Sequence, residues 1–191
     1  MSTKAYVFID VQNDFLPGGA LPYGYPARDI VPGLVELAKK ALSNEDQLFF
    51  TRDTHGTDYL DTFEGKRLPI LHCLKDTGGW CLPTPLVAAV DDACWNDGRA
   101  VMVYKDTFGS LNLMRTMEEK SPIGGYEEIV IAGICTSICV VSNALLLRAH
   151  FPNTPIKVVA DLCGDIDEAS HVAALAVMRN CQIETVNASE V

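Results

Sequence analysis

The segment KAYVFID (4–10) decides the fold class, because it is an almost unbroken apolar run that ends in an acid. Similar apolar runs recur along the chain at QLFFTRD (47–53), AVMVYKD (100–106), EEIVIAG (127–133), IKVVADL (156–162) and IETV (183–186). Short runs that are apolar on both faces are typical of strands buried inside a parallel sheet. We therefore predict six such strands.

Segments with helical periodicity separate these strands. In DIVPGLVELAKKAL (29–42) the apolar residues Val31, Leu34, Val35, Ala38 and Leu42 fall on one helix face. Further helices are predicted over 85–90, 111–119, 137–150 and 168–180. This alternation predicts a doubly wound, Rossmann-like α/β fold, in which a six-stranded, mostly parallel sheet lies between two helical layers. The length of 191 residues is that of one domain, 1–191.

Composition excludes several classes of protein. The chain is 48% hydrophobic and 21% charged, which is ordinary for a globular protein. Its formal net charge of −10 disfavours binding to nucleic acid or to an anionic membrane surface, and no apolar run is long enough to span a membrane. Seven cysteines, an odd number, without a recognisable export signal lead us to expect reduced thiols and a cytoplasmic location.

Chemistry should be concentrated at one edge of the sheet. In doubly wound sheets ligands bind beyond the carboxyl ends of the strands. The residues expected at this rim are Asp10, Asp53, Lys105, the 133–139 turn and Asp161. The long segment 54–83 contains two histidines and a tryptophan, so we expect it to form a wall of the site.

Cys139 is a candidate nucleophile, because it lies where the strand 127–133 turns into the helix 137–150. The positive end of a helix favours a thiolate in its first turn. Lys105 would favour the thiolate further, and Asp10 could accept the thiol proton. The alternative interpretation is structural: a small core cysteine, a helix-capping aspartate and a solvated lysine.

Asp53, His55 and His72 form a candidate metal site. Residues 53 and 55 point to the same side of an extended segment, and a carboxylate with imidazoles suits zinc, iron or manganese. The alternative is that these residues have only turn and packing roles.

Four sequence elements resemble one known superfamily. They are DVQNDFLPGGAL (10–21), TRDTH…LPILHC…GW (51–80), the strand that ends at Lys105, and GICTSICV (133–140). In this order, and over almost the full length, they resemble the isochorismatase-like cysteine hydrolases, and within them the nicotinamidases and their relatives. The resemblance implies a triad in which Asp10 is general base and acid, Lys105 gives electrostatic support and Cys139 is the nucleophile.

The resemblance also implies roles for neighbouring residues. A cis peptide is expected at Ile134–Cys135, where it would direct the Cys135 N–H, together with the Cys139 N–H, into an oxyanion hole. Phe15 matches an apolar position of the substrate pocket. Asp53, His55 and His72 match the metal ligands of nicotinamidases, with zinc the first choice of metal.

The chain departs from the family pattern at three places. Tyr59 stands where nicotinamidases usually carry a second loop histidine, so Asp58 or Glu64 would have to replace that ligand. Pro69 occupies a position that is often aromatic. The family motif Thr-Asp-x-Cys is here Thr-Ser-Ile-Cys, with Ser137 in place of the aspartate.

These observations predict a cysteine amidohydrolase with a small-molecule substrate. The expected reaction converts nicotinamide to nicotinate and ammonia through a thioester, in the context of NAD salvage. Alternatives are an N-carbamoyl, ureido or biuret-like amide as substrate, or a family member that binds small ligands without turnover.

We also expect a homo-oligomer. The helix 137–150 is apolar almost all round, which leaves one face beyond that needed to cover the sheet. A twofold dimer, alone or within a tetramer, is the commonest solution. The alternative is that helices 111–119 and 168–180 cover this face within the same chain.

Overall fold

The computed structural model describes residues 3–191 and contains one six-stranded sheet in the order β3-β2-β1-β4-β5-β6. All neighbouring strands run parallel. The strands are β1 (Ala5–Ile9), β2 (Gln47–Asp53), β3 (Ala100–Lys105), β4 (Ile129–Ile134), β5 (Ile156–Gly164) and β6 (Glu184–Val186). The predicted doubly wound α/β fold is confirmed, with the chain moving outward from the β1–β4 centre in both directions.

Within residues 3–191, six α-helices cover the two faces of the sheet. They are α1 (Val31–Ser43), α2 (Thr84–Ala89), α3 (Asp92–Asp97), α4 (Leu111–Lys120), α5 (Val141–His150) and α6 (Glu168–Asn180). The first three pack with one face of the sheet and the last three with the other. None of the helices in the part of the chain that the structure describes has the length and apolar content of a membrane span.

Local signals explain where these helices begin. The Ser110 hydroxyl accepts a hydrogen bond from the Leu113 N–H at the start of α4, and the Asp167 carboxylate accepts one from the Ser170 N–H at the start of α6. Such caps satisfy N–H groups that a helix leaves unpaired. In α1 a proline in the first turn needs no such partner.

The structure differs from the sequence predictions in three places. A second short helix, α3, follows α2 where none was predicted. The segment 137–150 does not begin as an α-helix, because Thr136–Val140 forms a π-helical turn before α5. Within this segment Ile138, Val141, Leu145 and Leu146 are half-buried against the rest of the chain, and the expected homo-oligomer stays a prediction.

The third difference removes Asp161 from the expected rim. Strand β5 continues to Gly164, and between its pairs with Ile131 and Gly133 of β4 it carries extra residues as a bulge. Asp161 lies in this bulge, where its carboxylate accepts a hydrogen bond from the Ala188 N–H. Asp165, not Asp161, is the buried acid beyond the end of β5.

Candidate active site

The strand order places four chemically active groups side by side. Lys105 ends β3, Asp53 ends β2, Asp10 follows β1, and the turn that carries Cys139 follows β4. Lys105 and Asp53 are also direct partners in the β2–β3 register. Because parallel strands end at one edge, residues far apart in sequence meet here.

Lys105 is at the centre of the group. Its Nζ lies 2.6 Å from Asp10 Oδ2, 3.2 Å from Asp53 Oδ1 and 3.6 Å from Cys139 Sγ. All four residues are buried. A buried ammonium needs anionic partners, and here it has two carboxylates and a thiol within direct contact.

Asp10 is held in an unusual conformation. Its φ of 48° is in the left-handed region, which residues other than glycine seldom adopt. The Thr51 hydroxyl accepts from the Asp10 N–H at 3.0 Å and donates to Asp10 Oδ1 at 2.6 Å. Asp10 Oδ2 lies 2.6 Å from the Lys105 ammonium, and no hydroxyl or backbone N–H of the described residues donates to it. Oδ2 is therefore the oxygen with a lone pair free for a proton.

Burial and charge shift the pKa values of this group in defined directions. Burial raises the pKa of Asp10, and the nearby Lys105 ammonium opposes but does not cancel that rise. Burial, followed by the Asp10 charge, raises the pKa of the Cys139 thiol. Burial alone would lower the pKa of Lys105, but its anionic neighbours raise it well above the usual value. The resting group therefore holds a thiol and an ammonium.

Asp53 belongs both to this group and to the histidine cluster. Burial alone would raise its pKa, but hydrogen bonds from His55 and His72 and the charge of Lys105 hold the pKa well below its usual range. Asp53 is therefore a permanent carboxylate. Its Oδ1 faces Lys105 and its Oδ2 faces the two imidazoles.

The turn that carries Cys139 begins with a close approach between two strands. Gly133 in β4 has φ +138°, and a Cβ at this position would lie 2.0 Å from the Ile9 carbonyl oxygen. The next peptide, Ile134–Cys135, is cis, as the resemblance implies. The Cys135 carbonyl then accepts hydrogen bonds from the N–H groups of Ile138 and Val140. Cys135 and Cys139 therefore belong to one compact unit.

Asp53, His55 and His72 come together as a candidate metal site. Their ligand atoms all lie within 4.8 Å of one another, and all three residues are buried. Asp53 Oδ2 lies 2.9 Å from His55 Nε2 and 3.6 Å from His72 Nε2. His72 Nδ1 lies 2.7 Å from the Ile70 carbonyl, so it donates there and leaves Nε2 as the ligand atom.

The Tyr59 ring packs against His55 and His72, but its hydroxyl is not one of the ligand atoms that gather there. Its ring centroid lies 4.4 Å from that of His55 and 5.1 Å from that of His72. Its hydroxyl lies 3.3 Å from Glu64 Oε1, and that same oxygen is 3.9 Å from His55 Nε2. Glu64, rather than Asp58, is therefore the acid that approaches the cluster.

The segment 54–83 forms a wall, as expected. A cavity of about 670 Å³ lies between its first part, which contributes His55, Tyr59 and Phe63, and the residues 106–108 that follow Lys105. Cys139 is 7% exposed and is not part of this wall. Phe15 is buried, with its ring centroid 5.6 Å from that of His72. The predicted pocket residue therefore lies beside the histidine cluster.

Three polar residues that organise the site were not among those predicted from the sequence. Thr51 holds Asp10, and the strand period of two, which puts it on the face of Asp53, could have indicated this. Buried Gln12 accepts from the Asp53 N–H at 2.7 Å and donates to the carbonyls of Asp53 and Trp80. Asp165 binds the Cys139 turn, and no local pattern marks it.

Comparison with known proteins gives a consistent relationship. The isochorismatase domain family matches residues 4–190. The chain is 25% identical over 213 residues to a nicotinamidase from Schizosaccharomyces pombe, covering 96% of this chain and 92% of that one. It is 27% identical over 196 residues to a nicotinamidase/pyrazinamidase from Mycobacterium tuberculosis, covering 97% and 100%. The crystal structure of a nicotinamidase/pyrazinamidase from Bacillus subtilis superposes with a TM-score of 0.82 at 25% identity, covering 97% and 100%. The chain therefore belongs to the isochorismatase domain family and is a hydrolase that acts on amide C–N bonds.

Proposed function

We propose that this protein hydrolyses a small primary amide through a thioester on Cys139, and that nicotinamide, which gives nicotinate and ammonia, is its substrate. The observation that carries the proposal is the position of Lys105 Nζ, 2.6 Å from Asp10 and 3.6 Å from the Cys139 sulfur. An acid, a cation and a thiol in direct contact form a proton-transfer unit beside a nucleophile. The names of the relatives supply the choice of nicotinamide.

The first half of the reaction forms the thioester. Asp10 Oδ2 takes the Cys139 proton, and the thiolate attacks the amide carbonyl carbon. The N–H groups of Cys135 and Cys139 hold the resulting oxyanion. Asp10 then gives its proton to the leaving nitrogen, the C–N bond breaks, and ammonia departs.

The second half of the reaction uses the same groups in reverse. Asp10 takes a proton from water, and the hydroxide attacks the thioester carbonyl. When the tetrahedral intermediate collapses, the C–S bond breaks, the thiolate regains the proton from Asp10, and the carboxylic acid is released. Lys105 stays protonated throughout and stabilises each anion that forms beside it.

The cluster of Asp53, His55 and His72 suits a divalent ion, with zinc the first choice and iron or manganese as alternatives. The fit rests on the donor set and on the hydrogen bond from His72 to the Ile70 carbonyl, which fixes the ring. When bound, such an ion would supply a positive charge that could hold a ring nitrogen of the substrate. Glu64, whose Oε1 lies 3.9 Å from His55 Nε2, would be a further acid beside the ion.

The direct test is an assay of ammonia release with nicotinamide, an N-carbamoyl amino acid and biuret, with Cys139→Ala as control. Hydrolysis of nicotinamide that disappears in the variant supports the proposal. Turnover of only a ureido compound would show that nicotinamide is not the substrate, while the proposed thioester chemistry would stand. No turnover of any amide, with a ligand still protecting Cys139 from alkylation, would identify a binding protein and overturn the proposal.

A further inference from the structure

Asp165 is a buried carboxylate that takes no part in the proposed proton transfers. It lies just beyond β5, and its side chain reaches the turn that carries Cys139. Its Oδ2 accepts from the Ser137 N–H at 2.9 Å, and its Oδ1 accepts from the Ser137 hydroxyl and from the Ile166 N–H, each at 2.8 Å. Charge-assisted hydrogen bonds of this kind are roughly twice as strong as neutral ones.

The backbone of Asp165 is held from the opposite side. Its carbonyl accepts from the N–H groups of Gly24 and Tyr25, and its own N–H donates to the Tyr25 carbonyl at 2.7 Å. The carboxylate therefore extends from a fixed backbone toward Ser137. A group fixed in this way can determine the position of what it binds.

The residue before Ser137 is tied to the same region. Thr136 is fully buried, and its hydroxyl donates to the Gly164 carbonyl at 3.1 Å, so it accepts from His171 Nδ1 at 2.9 Å. Both residues at the start of the turn are therefore bound through their side chains to the β5–α6 connection. This connection acts as a support behind the nucleophile.

Movement of Ser137 would be transmitted to the reacting groups. Ser137 lies between Cys135, whose carbonyl accepts from Ile138 and Val140, and Cys139 itself. The thiol and the two N–H groups proposed for the oxyanion hole belong to this unit. A displacement of about 1 Å at a reacting group can cost about 100-fold in rate.

Residue 137 is also where the chain departs from the Thr-Asp-x-Cys pattern. An aspartate at 137 would place a second carboxylate against Asp165, and like charges in a buried site repel. Serine instead offers a hydroxyl donor at 2.8 Å. The serine and the distant aspartate thus complement each other.

We propose that Asp165 is a positioning residue for amide hydrolysis, whose carboxylate fixes, through Ser137, the turn that presents the Cys139 thiol and the Cys135 N–H to the substrate. This inference rests on the proposed function for its kinetic test. It concerns a residue that does not touch the reacting atoms.

The charge of Asp165 also acts on Cys135, the first cysteine of the turn. Burial, followed by the charges of Asp165 and Asp10, raises the pKa of Cys135 to about 12. Cys135 therefore rests as a thiol, as Cys139 does.

The test is an exchange of the carboxylate between positions 165 and 137. Asp165→Asn and Ser137→Asp should each lower kcat by about 10- to 100-fold with KM nearly unchanged, because binding is kept and alignment is lost. The double variant has one carboxylate at 137 and an amide donor at 165, so it should recover most of the lost kcat. Asp161→Asn, in the strand β5 that precedes Asp165, is the matched control and should behave as wild type.

Two results would overturn the proposal. One is an Asp165→Asn variant with kcat within about twofold of wild type. The other is a double variant that is no better than the worse single variant, which would indicate a general loss of structure. Circular dichroism checks the fold, and Ser137→Ala, which removes only the hydroxyl bond, replaces Asp165→Asn if that variant does not fold. Ser137→Ala should then show a smaller loss of kcat with unchanged KM.

A second readout does not depend on the substrate. The alkylation rate of Cys139 by iodoacetamide, followed by peptide mass spectrometry, should change in both single variants and return toward wild type in the double variant. Equal rates in all four proteins would reject the role of Asp165. If wild type hydrolyses no amide, the proposed function fails while this readout still decides the role of Asp165.

Discussion

The Lys105 ammonium lies 2.6 Å from the Asp10 carboxylate, and both groups are buried at the carboxyl edge of the sheet. The two residues come from non-adjacent strands, since β2 lies between β1 and β3. Asp53 at the end of β2 makes a second contact with the same ammonium. One cation, the Lys105 ammonium, therefore joins the proton-transfer group to the candidate metal site.

Cys139→Ala should lower kcat by at least about 10⁴-fold, because no other group at the rim replaces the nucleophile. Cys135→Ala should keep activity within about tenfold, since the role proposed for Cys135 is through its backbone N–H. Steady-state kinetics with nicotinamide measure both, and melting temperatures check the folds. An inactive Cys135→Ala beside an active Cys139→Ala would reverse the assignment.

Asp10→Asn should lower kcat by at least about 10²-fold, because it keeps the shape but cannot carry the proton. Steady-state kinetics at one pH are enough to measure this loss. Activity within about tenfold of wild type would move the general base to another residue.

Thr51→Val should shift the acidic limb of kcat/KM to higher pH. The Thr51 hydroxyl donates to Asp10 at 2.6 Å and lowers the Asp10 pKa, against burial, which raises it. Removal of the donor raises that pKa, so Asp10 accepts a proton from the thiol only at higher pH. Thr185→Val on β6 is the control. If the acidic limb of Thr51→Val is not shifted, the group that titrates in this limb is not Asp10.

Glu64→Gln should weaken zinc binding by about tenfold, and Asp58→Asn should leave it unchanged. Both acids lie on the wall of the same cavity, but only Glu64 approaches His55, at 3.9 Å. Competition with a chelator measures the affinity, and elemental analysis measures the metal content. Wild-type protein with far less than one metal ion per chain, and with activity unaffected by EDTA, would leave Asp53, His55 and His72 as packing residues.

Glu128→Gln should lower the free energy of unfolding at pH 7 by about 1–2 kcal/mol. This figure lies between the contribution of an exposed ion pair and the cost of breaking a buried one. Glu128 lies 3.0 Å from Lys4 Nζ and 2.6 Å from Lys157 Nζ. Burial would raise its pKa, but these lysines hold the pKa below its usual value. The stabilisation is therefore present above the unfolded-state pKa, near 4.3, and is lost as the pH falls through the lower folded-state pKa.

Urea unfolding at pH 7 and near pH 3 measures this difference, with exposed Glu127→Gln as the matched control. The gap between wild type and Glu128→Gln should shrink at the lower pH. A gap of equal size at both pH values would mean that packing, not charge, accounts for the loss.

Light scattering at micromolar concentration should give a mass of at least twice 20.8 kDa. The expectation of self-association stays a prediction. Its reason was an apolar face left free on the segment 137–150, and this reason is weaker because the apolar side chains of α5 are at least half-buried within the chain. Exposed Val172 and Val177 on α6 offer a second apolar surface. A mass of 20.8 kDa would show that neither surface associates.

Strand runs that are apolar on both faces were enough to predict the sheet, because burial on two sides leaves few other structures for such a run. The same runs placed Asp10, Asp53 and Lys105 at their carboxyl ends, so the rim followed from the strand rule. The turn from the strand 127–133 into the following helix made Cys139 a candidate nucleophile, and the resemblance of the 133–140 segment supported that role and added the cis peptide.

Only the tertiary structure decided which acids face the site. Asp161 and Asp165 are four residues apart, and the bulge in β5 directs the first away from the rim and the second toward Ser137. Glu64 and Asp58 are equally suitable by residue type, and the path of the 54–68 segment around Tyr59 brings Glu64 to His55. Local sequence determines strands and helix caps through short-range contacts. Which acid faces the site depends instead on the β5 bulge and on loop paths, and packing across the whole domain determines both.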